Sequence, residues 1–189
     1  MSLLEFKIIF AIVTLAMALI GGLWPFIKRY NKQKLLQTDY RPEFPLGEAL
    51  ARGVFIGAGM LHMLPDATED FYKAGYHYPF SFLLAGASYL SLLFLEKFSR
   101  HGKEHHVATT SGIVLLTVAM LSIHSLLEGA AVGLTENLLT ATIIFIAIIA
   151  HKGAASFALS LNINRSYMSL SLGFVFFSFF ALMTPLGIM

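Results

Sequence analysis

The chain has 189 residues, of which 57% are hydrophobic and only 13% charged, and its mean hydropathy is +0.72. Soluble domains carry about 25% charged residues, so this composition excludes an ordinary water-soluble core and requires a lipid bilayer as partner. A net charge of +2 with no basic aromatic stripe excludes nucleic acid, and the absence of cysteine leaves His, carboxylate or neutral oxygen to hold any metal.

A membrane-crossing helix needs about 20 mostly apolar residues. Six stretches meet this, at roughly 3–27, 47–66, 78–95, 111–134, 138–161 and 167–189, and they predict a single all-α, polytopic transmembrane domain over 1–189. The first stretch is too long for the apolar core of a signal peptide and lacks an A-x-A cleavage signal, so it reads as a retained helix. Pro25 and Pro65 are expected near helix ends, where a missing amide donor is tolerated. The connection after the first span carries Lys28, Arg29, Lys32, Lys34 and Arg41.

The second span holds two features. Gly53-Val-Phe-Ile-Gly57 is a small-xxx-small face suited to close helix packing. His62 and Asp66 stand four apart near the other end, a geometry for relaying a cation, or simply for interfacial polarity. The connection that follows is acidic, with Asp66, Glu69 and Asp70 against Lys73. Such a mouth, with Glu136 nearby, attracts cations weakly at physiological salt, unless the loops are merely solvated. After the third span, connection 96–110 contains His101, His105 and His106 beside Lys97, Arg100 and Lys103, a tract able to hold a soft divalent ion loosely, or a chance cluster. With Arg165 in the next basic connection, nine Lys and Arg lie on this side and only Lys7 and Lys73 on the other. The positive-inside rule therefore puts the N-terminus outside and loop 96–110 in the cytoplasm.

The fourth and fifth spans break the apolar pattern at their middles. His124-Ser125-Leu-Leu-Glu128 and His151-Lys152 place ionisable groups where each costs about 2.5–3.5 kcal/mol on insertion scales, so they need a partner or a task. His124 and Glu128 share a helix face. A tight turn near Glu136 and Asn137 makes the two helices antiparallel, and at ~1.5 Å per residue His124 and His151 lie roughly 18 and 21 Å from it. Two imidazoles and a carboxylate at one level suit Zn²⁺, leaving a position for water or an exchangeable ligand. Fe²⁺, Mn²⁺, Co²⁺ or Cd²⁺ fit the same donors with altered affinity. Met120 is either a soft ligand or filler. The competing account is a structural Glu128–Lys152 ion pair, with the histidines bonded to hydroxyls of Ser125, Ser156 or Thr117. Gly129-Ala-Ala-Val-Gly133 offers a second small-xxx-small face.

The pieces Leu61-His62-Met63-Leu64-Pro65-Asp66-Ala67, His124-Ser-Leu-Leu-Glu-Gly-Ala-Ala-Val-Gly133, His151-Lys152-Gly153 and Thr184-Pro-Leu-Gly187 resemble the ZIP family of divalent metal importers, in the branch of the eukaryotic plasma-membrane zinc importers and similar bacterial proteins. The resemblance implies a multi-pass protein of a plasma membrane or bacterial inner membrane that moves Zn²⁺ towards the cytosol, and it admits a homodimer. It implies His124, Glu128 and His151 as transport-site residues, with His62, Asp66, Ser125 and Lys152 auxiliary. Family members with a binuclear site use Asn, Asp and Glu where this chain has Ser125, Lys152 and Ala155, so one metal site is expected, with Lys152 in place of the second ion. The family has eight spans, of which the first, fourth, fifth and sixth are thought to move. This sequence ends at the sixth, so the expectation includes a truncated, non-transporting metal-binding or regulatory relative. An intramembrane zinc hydrolase is a weaker alternative, because no H-E-x-x-H or separate general base is present.

Overall fold

The computed structural model describes residues 2–37, 43–100, 111–166 and 168–189. Loop positions His101, His105 and His106 and connection residue Arg41 lie outside the described residues. The described chain folds into α1 (Leu3–Leu36), α2 (Pro45–Ala58), a π-helical turn (Gly59–Met63), α3 (Leu64–Lys73), α4 (Phe80–Arg100), α5 (Ser111–Leu134), α6 (Leu138–Arg165) and α7 (Leu170–Ile188). Helix is the form a lipid environment favours, because every backbone N–H and C=O is satisfied within the segment. Four helical stretches are long and apolar enough to cross a membrane, namely Leu3–Leu36, Val114–Leu134, Leu138–Arg165 and Leu170–Ile188, with Phe80–Phe94 a shorter apolar helix.

Local chemistry sets the helix starts. Ser2 and Glu5 form a reciprocal capping box at α1. Asn137 accepts from the Leu139 amide at α6, and Ser169 from the Leu172 amide at α7. The helix does not stop near Pro25. It continues to Leu36 with the proline buried inside it, and one turn of its backbone is tied to α6, where Ser160 Oγ donates to Gly22 O at 2.6 Å. An interior proline costs about 3 kcal/mol, and burial of this turn against α6 and α7 offsets it.

The helices α1, α5, α6 and α7 form the packed centre, with α5 against α7 and α1 against α6 as the most extensive contacts. Glycines set these contacts. A Cβ on Gly21 would lie 2.4 Å from Gly153 O, so α1 and α6 meet backbone to backbone. A Cβ on Gly129 would lie 2.2 Å from Thr184 O, and one on Gly133 2.7 Å from Ile188 O. The Gly129–Gly133 face is therefore a helix-packing face, and its neighbour is α7. Gly53 and Gly57 behave differently from expectation: nothing lies within 4 Å of a Cβ on either. Gly129→Ala should separate α5 from α7 and destabilise the bundle by about 1–3 kcal/mol or more, whereas Gly57→Ala should be nearly neutral. Thermal unfolding in detergent compares the two.

Two apolar layers fill the centre. One contains Phe10, Ala11, Val132, Ile148 and Ile188; the other contains Phe26, Val118, Ala155, Leu159, Phe177 and Phe180. The polar positions 124–128, 151–152 and 184 fall between these layers along α5, α6 and α7. Lys7 Nζ donates to Gly133 O at 2.6 Å, placing a cation at the C-terminal end of α5, where the helix dipole favours it. The start of α1 therefore lies at the same end of the bundle as the α5–α6 turn.

Helices α2, α3 and α4 lie outside this centre. Helix α2 packs on α6 through a two-pronged Glu48–Arg165 ion pair, with Arg165 Nη1 2.7 Å from Glu48 Oε2, and Phe44, just before the helix, meets Phe157 of α6. Helices α3 and α4 meet through a 2.6 Å hydrogen bond between the Thr68 and Ser81 hydroxyls. Helix α4 exposes Phe82, Leu83, Leu84, Leu90 and Phe94, a surface suited to lipid.

Candidate metal site

The middles of α5 and α6 bring His124, Glu128 and His151 together. One ligand atom from each falls within 4.8 Å of the others. Glu128 Oε1 lies 3.0 Å from His124 Nε2 and 2.6 Å from His151 Nε2, so a single carboxylate oxygen faces two imidazoles. The pairing on α5 follows from i,i+4 spacing; the third group arrives because α6 runs antiparallel after the turn at 135–137.

The tautomer of His151 is set from outside the cluster. Its Nδ1 lies 2.8 Å from Ala147 O, and a carbonyl only accepts, so Nδ1 carries a proton. The lone pair left on Nε2 points at the Glu128 carboxylate, where a proton or a metal ion can bridge the two. Such an outer hydrogen bond orients an imidazole ligand and raises its basicity. His124 is partly open, with 30% of its side chain exposed against 11% for Glu128, so the cluster is reachable from one side.

Lys152 does not pair with Glu128. Among the described residues, the ion-pair partners of Glu128 are the two histidines. Lys152 is only 1% exposed, and its ammonium donates to Ser125 Oγ and Thr184 Oγ1, each at 2.8 Å, and sits 4.5 Å from the centre of the Phe180 ring. These hydroxyls and the ring face supply hydrogen bonds and a cation–π contact to a buried charge that would otherwise be costly. The hydroxyl bonds expected of the histidines in a purely structural arrangement go to Lys152 in the case of Ser125, and Ser156 Oγ donates to Lys152 O.

A cavity of about 310 Å³ adjoins the cluster. Its walls include His124, Glu128, His151, Lys152, Met120 and Met63. Met63 belongs to the π-helical turn, and its place on the cavity wall is not legible in the sequence, because the period-3.6 pattern on which side-chain direction is judged fails where a helix takes an extra residue per turn. The same shift leaves His62 elsewhere. His62 Nδ1 lies 3.0 Å from Asp66 Oδ2, both half-exposed, but neither lines the cavity. Further along α3, Lys73 Nζ is 2.7 Å from Glu69. This hydrogen bond and the opposite charges hold the Glu69 carboxyl below its ordinary range and the Lys73 ammonium above its own. Both are therefore charged at neutral pH and cancel, and the local negative field comes from Asp66 and Asp70.

A profile of the family described as ZIP zinc transporter matches residues 4–114 and 99–189. The chain belongs to the ZIP zinc transporter family. Among similar proteins, human zinc transporter ZIP2 is 25% identical over 237 aligned positions, covering 99% of this chain and 77% of the human protein. Zinc transporter 11 of Arabidopsis thaliana is 26% identical over 72% of this chain and 47% of its own length. Protein zntD of Dictyostelium discoideum is 36% identical over 51% of this chain and 14% of its own length. No solved structure matches the chain. ZIP proteins are transporters and not enzymes, which sets aside the hydrolase alternative, and zinc transport is the activity named for the human and Arabidopsis relatives.

Proposed function

We propose that this ZIP-family chain moves Zn²⁺ towards the cytosol through one site made by His124, Glu128 and His151. The observation that carries this reading is the convergence of three ligand atoms within 4.8 Å at the middle of two membrane-length helices. Charged groups at that depth are rare without a function. The full topology proposed is six spans with the N-terminus outside, α2–α3 and α4 completing the four longer helices.

The ion is drawn by Asp66 and Asp70 at the acidic end, passes the His62–Asp66 pair, and enters the cavity on the side where His124 is open. The packed group α1, α5, α6 and α7 then shifts against α2 to α4. The ion leaves towards the cytoplasmic loop that carries His101, His105 and His106. Two neutral imidazoles and one carboxylate give binding of moderate strength, as a transport cycle requires, since a site that never releases does not conduct. Lys152 holds a fixed positive charge where a second ion would otherwise sit, so the site is mononuclear. Fe²⁺, Mn²⁺, Co²⁺ and Cd²⁺ are secondary substrates by donor chemistry.

Equilibrium zinc binding by the purified chain tests this. One zinc per chain is expected at the cluster, progressively lost as pH falls, because the imidazoles must be neutral to ligate. A second zinc ion that is lost together with the first in Glu128→Ala, or binding that persists unchanged at pH about 5, would contradict the assignment.

A further inference from the structure

The first helix outlasts its apolar run. The run gives out near residue 27 while α1 continues to Leu36, so at ~1.5 Å per residue about 13 Å of more polar helix follows. Across this change, Trp24, Lys28 and Lys32 form one i, i+4 ridge, and Ile27, Asn31 and Leu35 form the next. Between the ridges lies a groove of about 310 Å³ lined by these six residues. The opposite side of the same turns carries Pro25, Phe26 and Arg29, all buried against the bundle, so the groove faces outward.

The two ends of the groove differ in chemistry. Trp24 and Ile27 continue an exposed apolar track from Ile20, a surface for acyl chains. Lys28, Asn31 and Lys32 follow within about two turns, and among the described residues no carboxylate lines the groove. Tryptophan settles where hydrocarbon gives way to headgroups, so the two ammonium groups beyond it lie at headgroup depth. Lys28 is held there: its Nζ sits 4.0 Å from the centre of the Phe44 ring and donates to Glu43 O at 3.5 Å. An ammonium has three donors, so Lys28 can still meet a further acceptor.

We infer that this outer face of α1 is a binding site for one anionic phospholipid, in the leaflet at the lysine-rich end of the helix. The acyl chains lie along Ile20, Trp24 and Ile27, and the phosphate oxygens accept from Lys28, Lys32 and the Asn31 carboxamide. A phosphatidylcholine brings its own cation beside the phosphate, which the two lysines repel, so the groove selects by net charge. The site stands apart from the metal cluster and holds whether or not the chain transports zinc. It reaches the bundle through Gly21, one turn before Trp24, where α1 meets Gly153 of α6 backbone to backbone. A lipid that fixes the depth of α1 thereby fixes the depth of the helix that carries His151.

Trp24 is the chain's one tryptophan, so the native protein carries its own reporter. The chain is placed in mixed vesicles of phosphatidylcholine and phosphatidylglycerol in which one lipid or the other has acyl chains brominated near the headgroup. At equal mole fraction, brominated phosphatidylglycerol should quench Trp24 with several-fold preference over brominated phosphatidylcholine. A lysine near an anionic headgroup strengthens attachment by roughly fivefold. Lys32→Gln should therefore remove most of the preference, and Lys28→Gln with Lys32→Gln all of it. Lys97→Gln removes the same charge from an exposed position on α4 and should leave the preference intact, as should excess inorganic phosphate at constant ionic strength. Equal quenching by the two lipids in the wild type, or a loss in Lys97→Gln equal to that in Lys32→Gln, would overturn the site. Displacement by inorganic phosphate would overturn it as well, by making its ligand a free phosphate and not a lipid.

Discussion

Glu128→Gln should raise the zinc dissociation constant by about a hundredfold, or roughly 3 kcal/mol. The substitution preserves shape and removes the one negative charge that faces both imidazoles. Glu128 Oε1 is within 3.0 Å of each histidine's Nε2, so it is the geometric centre of the cluster. Without the carboxylate, a divalent cation would sit between two neutral rings with a buried lysine nearby and nothing to offset its charge. His124→Ala should weaken binding less, because His124 is the more open of the two rings and water can take its place. Isothermal titration of the purified chains separates the two effects. Equal losses from the two substitutions would show that the carboxylate is not the central ligand.

Lys152→Met should act in the opposite direction. A fixed unit charge is worth about 1 kcal/mol against another unit charge 4 Å away even in bulk water, and several times more in a protein interior. Its removal should tighten zinc binding by about tenfold, or ~1.4 kcal/mol, and slow release. Methionine is one atom shorter and uncharged, so the bonds to Ser125 and Thr184 and the cation–π contact with Phe180 are all lost, and an apolar thioether packs in the space. On the proposed reading the ammonium is a built-in cation that keeps affinity moderate. A Lys152→Met chain that binds zinc more weakly than wild type would show that the lysine's role is to hold Ser125 and Thr184 in place.

How far the sequence foretells these arrangements differs from element to element. The turn between the fourth and fifth spans was legible, because the apolar stretch ends at Leu134 and resumes after the Asn137 cap, whereas α6 runs on to Arg165, four residues beyond the apolar stretch. The meeting of His124, Glu128 and His151 followed from spacing and a short turn alone. The length of α1 was not legible: its last turns, Lys28 to Leu36, are mixed in polarity, and hydropathy cannot see a helix that continues beyond the apolar run. The π-helical turn at Gly59–Met63 was equally hidden, and with it the facing of Met63 rather than His62 into the cavity. The Lys152–Thr184 bond joins α6 to α7 across 32 residues, a contact fixed by the Gly129 and Gly133 packing face and not by any local pattern. Gly53 and Gly57 show the converse, a packing motif in sequence that meets no neighbour among the described residues.

The central claim is that zinc crosses the membrane through the His/Glu/His cluster. It is tested most directly by radiozinc uptake into proteoliposomes containing the wild-type chain, His124→Ala or Glu128→Ala. The account predicts uptake by the wild type that is lost in Glu128→Ala and strongly reduced in His124→Ala. Uptake that survives both substitutions, or zinc binding at the cluster with no flux in the wild type, would contradict it, the latter pointing to a metal-binding relative that does not transport.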